Sequence, residues 1–131
     1  MRRVAITALF LAACADAPPD LSITDVTLNP PLGGRTVGAA YMTISNAGGA
    51  TELVAATSSE ADVIELHKSS RVDGIARMEK LDRVPIPSGD TVLEQGGLHL
   101  MVFGLSAEEA ADGVPLVLEF ADGTTLETVA N

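Results

Sequence analysis

The chain has 131 residues, a formal net charge of −10, 47% hydrophobic residues and only three Phe, one Tyr and no Trp. That length holds one domain with a single two-layer core and is too short for two domains with linkers; the core must come from Val, Leu, Ile, Ala and Met. The acidic balance argues against an electrostatic binder of nucleic acid or anionic lipid and favours cations and basic partners.

The chain begins as an address. Residues 1–18 read MRRVAITALFLAACADAP, with Arg2 and Arg3 ahead of an apolar run from Val4 to Ala13. A charged segment before a short apolar one is the layout of an export signal, and the run is too short to span a bilayer. Ala15-Asp16-Ala17 offers a small-x-small cleavage site. Leu11-Ala12-Ala13-Cys14 resembles a bacterial lipobox, whose cysteine is lipidated and becomes the first residue. Cys14 is the only cysteine, so no intramolecular disulfide can form, and a lone thiol in an oxidising compartment is a liability unless modified. The expected organisation is a lipoprotein-type signal peptide over residues 1–13, a lipidated Cys14 and Pro-containing tether over 14–21, and a folded domain over 22–131. The domain would sit on the periplasmic side of a bacterial membrane, held there by its lipid anchor; a soluble periplasmic protein is the alternative. Losing Arg2 and Arg3 takes the net charge to about −12.

Beyond the signal, Gly, Pro, Asn and Asp punctuate runs of four to eight residues rich in Val, Ile, Leu and Thr, the pattern of an all-β domain. Strands are predicted over 22–28, 38–45, 52–57, 62–68, 75–81, 91–94, 98–104, 114–120 and 125–129. Asn29-Pro30-Pro31-Leu32-Gly33-Gly34, Asn46-Ala47-Gly48-Gly49 and Pro87-Ser88-Gly89-Asp90 read as turns or loops. Ala121-Asp122-Gly123-Thr124 is the strongest hairpin signal. Only 106–112, SAEEAAD, suits a helix, and Glu108 and Glu109 there are expected to face solvent.

Both histidines, His67 and His99, and two of the four methionines, Met78 and Met101, fall between residues 67 and 101. Strand alternation sends Ile64 and Leu66 to the core and Val63, Glu65 and His67 to the other face; likewise Leu98, Leu100 and Val102 oppose His99, Met101 and Phe103. Neither histidine therefore lies on the more apolar face of its strand, and Met78, beside a predicted Asp73-Gly74 turn, is expected to be accessible. In His99-Leu100-Met101 the residues at i and i+2 point the same way, so imidazole and thioether can converge on one ion. His67 and Met78 would complete a four-donor set. Two imidazoles and two thioethers suit soft Cu(I), not Ca²⁺ or Mg²⁺, and zinc gains little from thioethers. Protonated imidazole does not ligate, so Cu(I) affinity is expected to fall below about pH 6.5, the value for free imidazole, and oxidation of Met78 or Met101 to the sulfoxide should impair the site.

The spacing His67, ten residues, Met78, twenty residues, His99-x-Met101 resembles the motif of the periplasmic PCuAC copper chaperones. Ala40-Tyr41-Met42-Thr43-Ile44-Ser45-Asn46, Val63-Ile64-Glu65-Leu66-His67, Pro85-Ile86-Pro87 followed by Gly89, and Gly96-Gly97-Leu98-His99-Leu100-Met101 resemble successive segments of that family, over roughly residues 23–129. Lys68 stands where many members carry a second Met, the gap between Met78 and His99 is about one residue shorter than usual, and no His/Met-rich tail follows Val129 in this sequence. The resemblance implies a cupredoxin-like β-sandwich or barrel of Greek-key type. It also implies a Cu(I) site at His67, Met78, His99 and Met101, and delivery of copper toward cytochrome c oxidase assembly, to subunit II or a Sco-type thiol protein.

Other functions fit less well. A blue-copper electron-transfer site needs a cysteine thiolate, and the only one is Cys14. An enzyme would need a nucleophile–base arrangement or a phosphate-binding loop, and neither is evident. A metal-free β-sandwich lipoprotein acting as an interaction or assembly module remains the alternative.

Overall fold

The structure, a computed structural model, describes residues 17–131. The predicted signal and Cys14 lie outside the described residues. Ten strands and one short helix follow in chain order: β1 (Leu21–Asn29), β2 (Val37–Asn46), β3 (Thr51–Thr57), β4 (Val63–Val72), β5 (Ile75–Leu81), β6 (Val84–Ile86), β7 (Gly89–Leu93), β8 (Leu98–Phe103), α1 (Ala107–Ala111), β9 (Val114–Phe120) and β10 (Thr125–Ala130).

The strands form two antiparallel sheets. One runs β1-β2-β8-β4-β5, with β7 also pairing with β2; the other runs β10-β9-β3-β6. Strand β2 carries β8 along Val37–Ala40 and β7 along Met42–Asn46. The chain crosses repeatedly between sheets, so β8 sits between β2 and β4 and β3 between β9 and β6, a Greek-key type of connectivity. This is the predicted cupredoxin-like β-sandwich, and it is open rather than barrel-shaped: an edge bond from the Leu28 N–H to the Asn131 carbonyl, 2.9 Å, links the sheets at one margin without closing a barrel.

Period-2 alternation builds the core. In β2, Ala40, Met42 and Ile44 are buried, and in β9 Val114, Leu116, Leu118 and Phe120 are; the facing rows interdigitate with Leu53, Leu66, Ile86, Leu100 and Val102. Each such aliphatic side chain contributes about 1.5–3 kcal/mol of burial energy. Of the two Phe among the described residues only Phe120 is in this core, so shape complementarity rests on branched aliphatics and Met42.

Turn chemistry fixes the hairpins. Asp73 and Gly74 both have positive φ, 53° and 77°, as a two-residue type I′ loop requires. That turn extends β4 to Val72, beyond the predicted end at 68. The Asp122-Gly123 turn closes β9 on β10 as expected, with the Phe120 N–H bonded to the Thr124 carbonyl at 2.9 Å. Strand β6 falls between the predicted strands 75–81 and 91–94, where none was predicted. It is an edge strand whose Val84 and Ile86 are buried while Pro85 points out, and an edge is where a residue lacking an N–H is tolerated. Strand β7 begins at Gly89 rather than 91, because its ladder with β2 runs back to the Asn46–Gly89 pair. The predicted helical turn is α1, and Glu109 does not simply face solvent: it forms a capping box with Ser106. Part of the expected tether is docked. The Pro18 carbonyl accepts from the Gly49 N–H at 3.1 Å and the Asp20 carbonyl from the Ala47 N–H at 2.9 Å.

Candidate metal centre

The outer face of the first sheet is a grid set by register. Strand β8 lies between β2 and β4; His67 pairs with His99, Glu65 with Met101, and Val63 with Phe103. On the other side Ala39 faces Met101 and Val37 faces Phe103, which brings Tyr41 beside His99. Strand β5 adds Lys80 opposite His67 and Met78 opposite Ser69. All four sequence-predicted donors therefore share one face. His67 and His99 are direct cross-strand neighbours with ring centroids 5.6 Å apart. Met101 and Met78 lie on opposite diagonals from His67, and diagonal neighbours have Cα atoms ~7–8 Å apart.

The Gly-Gly-x-His segment orients His99. Gly96, at φ 84°, makes the tight turn out of β7. The Gly97 carbonyl then accepts two hydrogen bonds, from the Ser69 N–H at 2.9 Å and from His99 Nδ1 at 3.1 Å. A carbonyl only accepts, so Nδ1 carries the proton and Nε2 holds a lone pair. His67 is held the other way round. Its Nε2 lies 2.8 Å from Glu65 Oε2, and Lys80 Nζ approaches Glu65 Oε1 at 3.8 Å. The hydrogen bond from His67, with burial opposing it and the Lys80 charge assisting, holds the Glu65 carboxyl below its ordinary value of 4.5. With the proton on Nε2, Nδ1 of His67 is a bare lone pair, buried and without a partner; among the described residues it is the only buried side-chain polar atom left so.

The predicted face is correct, but the histidines are less open than their position away from the apolar face implies. His99 is 4% exposed and the His67 side chain 12%. They sit on the two inner strands β8 and β4, roofed by neighbours: Tyr41 lies 6.3 Å from His99 and Phe103 6.4 Å from His67, ring centre to ring centre. Met101 is partly buried, whereas Met78, on the edge strand β5, is 53% exposed, as expected. The contact between Glu65 and His67 is not among the sequence expectations. Its signal was present in the i, i+2 spacing to His67, which places both on one face of a strand.

Among the described residues no three His, Cys, Asp or Glu side chains gather as a metal site. Among the described residues two imidazoles meet on this face, and the thioethers of Met101 and Met78 share it with them. The donor chemistry fits a soft, low-coordinate ion, and the unpartnered Nδ1 of His67 is a lone pair that such an ion could use.

Comparison with known proteins defines the class first. The fold is that of PCuAC domains: the "Copper-bound PCuAC domain from PmoF2" superposes with a TM-score of 0.67 at 18% identity, covering 84% of this chain and 89% of that one. The "Apo PCuAC domain from PmoF1" does so at 0.67 and 19%, covering 84% and 90%. The family follows from the sequence match. Residues 21–131 match the family described as "Putative lipoprotein LpqE-like", and the chain belongs to that family. A relative from Leifsonia xyli subsp. xyli (strain CTCB07), "Putative lipoprotein Lxx21020", is 36% identical over 96 residues, 70% of this chain; the match spans 58% of that relative's length.

Proposed function

We propose that this domain is a copper carrier outside the cytoplasm, binding one Cu(I) on the outer face of its first sheet through His67, His99, Met101 and Met78. The observation that carries the reading is the paired imidazoles, with ring centroids 5.6 Å apart and the buried His67 Nδ1 unpartnered. The PCuAC fold, the copper bound to one structural neighbour and the PCuAC-like donor spacing support it. The role is binding and transfer rather than catalysis. Thioethers hold Cu(I) without adding an oxidisable thiolate, so a thiolate-bearing acceptor outcompetes them. The proposed acceptor is a Sco-type protein or subunit II in cytochrome c oxidase assembly. The lipoprotein character of the family supports anchoring through a lipidated Cys14 after removal of a signal peptide.

The test is an anaerobic Cu(I) titration of the purified protein against a chromophoric chelator, beside His99→Ala and Met101→Ala. One tight equivalent, lost in both variants, is expected. Weak binding indifferent to both substitutions refutes the carrier and leaves the metal-free interaction module.

A further inference from the structure

We infer that Glu65 is a positioning residue for the metal centre: by accepting the Nε2 proton of His67 it fixes that ring in the tautomer whose Nδ1 faces the metal, so the two histidines ligate through opposite nitrogens. The inference rests on the copper-carrier reading above and goes beyond it by assigning the ligating atoms and the residue that selects them.

Glu65 and His67 are two residues apart on β4 and therefore share its outer face. Their 2.8 Å contact leaves one arrangement of the proton, because an ionised carboxylate only accepts. Nδ1 is then left with a lone pair, no donor and no access to water. A buried acceptor without a partner is normally eliminated by folding; one that persists beside a second imidazole is accounted for by a bound electrophile. His99 is fixed by a different device, the Gly97 carbonyl at Nδ1, which presents Nε2. The two rings, with centroids 5.6 Å apart, are thus held through opposite nitrogens. A carboxylate behind a metal-binding imidazole orients the ring and raises its basicity.

Glu65 is not itself a fifth ligand on this geometry. One carboxylate oxygen is engaged by His67 and the other faces the Lys80 ammonium at 3.8 Å. Hard oxygen is also a poor donor for Cu(I). Met101, directly across from Glu65 on β8, is left as the soft donor nearest the carboxylate.

Two readouts test this on the purified protein. The first needs no metal. Long-range ¹H–¹⁵N correlation of the ¹⁵N-labelled imidazoles, only two in the sequence, reports which nitrogen carries the proton, with His99→Gln assigning the signals. His67 is expected as the Nε2–H tautomer in the wild type and as a mixture in Glu65→Ala. The second is Cu(I) affinity by chelator competition. It should weaken about 10–100-fold in Glu65→Ala, while Glu65→Gln, whose amide oxygen still accepts from Nε2, should stay within a few-fold of wild type. An Nδ1–H tautomer in the wild type overturns the inference even if copper binds tightly. Glu65→Ala affinity equal to wild type overturns it as well, as does Glu65→Gln being as weak as Glu65→Ala. Absence of Cu(I) binding by the wild type, with His67 in the expected tautomer, instead overturns the carrier reading on which the inference stands.

Discussion

Asn46 should be the most damaging polar residue to remove. It closes β2 on the core side, is 3% exposed, and is one of only two buried polar residues among those described, His99 being the other. Its Oδ1 accepts from the Asp20 N–H at 3.1 Å and the Gly48 N–H at 3.0 Å; its Nδ2 donates to the Gly49 carbonyl at 2.9 Å and across to the Ile86 carbonyl of β6 at 3.3 Å. One amide therefore fastens the start of β1, the turn after β2 and the opposite sheet. Asn46→Ala removes four bonds at a net 0.5–1.5 kcal/mol each and leaves their partners to find water where they can, a loss of about 3 kcal/mol. For a domain of about 110 residues, 1 kcal/mol corresponds to roughly 4–5 °C, so Tm should fall by about 12–15 °C. Thermal and urea unfolding followed by circular dichroism measures both. Asn46→Asp keeps the two acceptor bonds but turns a carboxylate oxygen toward two carbonyls, so it should be no better than Ala at neutral pH. A Tm within about 5 °C of wild type for Asn46→Ala would refute the reasoning, since the four bonds would then be replaceable by solvent.

Two further predictions concern the surroundings of the site. Gly104, just past β8, has φ 75°, and a methyl there would overlap the Asp62 side chain; Gly104→Ala should lose at least about 1–2 kcal/mol from the backbone conformation alone, read as a lowered urea midpoint, and an unchanged midpoint would show that the turn relaxes freely. The depressed Glu65 carboxyl predicts a pH dependence of definite sign. A carboxyl lowered in the folded state stabilises above its unfolded value and loses that contribution as pH falls through the folded value. The urea midpoint of wild type relative to Glu65→Gln should therefore be highest at pH 5 and decline toward pH 3, and a gap constant across that window would mean that the His67 contact does not bias the carboxyl.

Much of the site was legible because strand geometry converts spacing into facing. His99-x-Met101 and Glu65-x-His67 are i, i+2 pairs, and a period of two leaves each pair no choice but to share a face. What spacing cannot give is register. That β4 and β8 are neighbours at all, and that His67 meets His99 rather than Met101, depends on a pairing between residues far apart in the chain. Burial was hidden for the same reason: the alternation put the histidines on the face away from the core, but only the inner position of β8 and β4 and the flanking Tyr41 and Phe103 cover them. Strand β6 was hidden by its composition, since Val84-Pro85-Ile86 presents a helix- and strand-breaking residue that an edge position makes harmless. The hairpins at Asp73-Gly74 and Asp122-Gly123 were legible because the positive φ of Asp73, Gly74 and Gly123 favours those residues locally, independent of the rest of the fold.

On the proposed reading the domain has to hold copper and also release it, and the four donors differ in how firmly the fold holds them. Each imidazole has its proton parked on an acceptor of the protein itself, Gly97 for His99 and Glu65 for His67, so both lone pairs are aimed before any metal arrives. Aiming them is unfavourable in the empty protein: a buried unpartnered acceptor such as His67 Nδ1 costs about 1–3 kcal/mol. On the proposed reading that strain disappears when copper binds, which corresponds to roughly 5–150-fold in affinity at ~1.4 kcal/mol per tenfold. On that reading the half of the site built on the two inner strands would supply the affinity, and Met78 would supply the exchange. It stands on the edge strand, half exposed, on a flexible side chain with three rotatable bonds. Of the four proposed donors it is the one the fold leaves freest to move. If Met78 is the exchanging donor, Met78→Ala should weaken Cu(I) binding less than His99→Ala does in the same chelator titration, and an equal loss would refute that division between edge and inner strands.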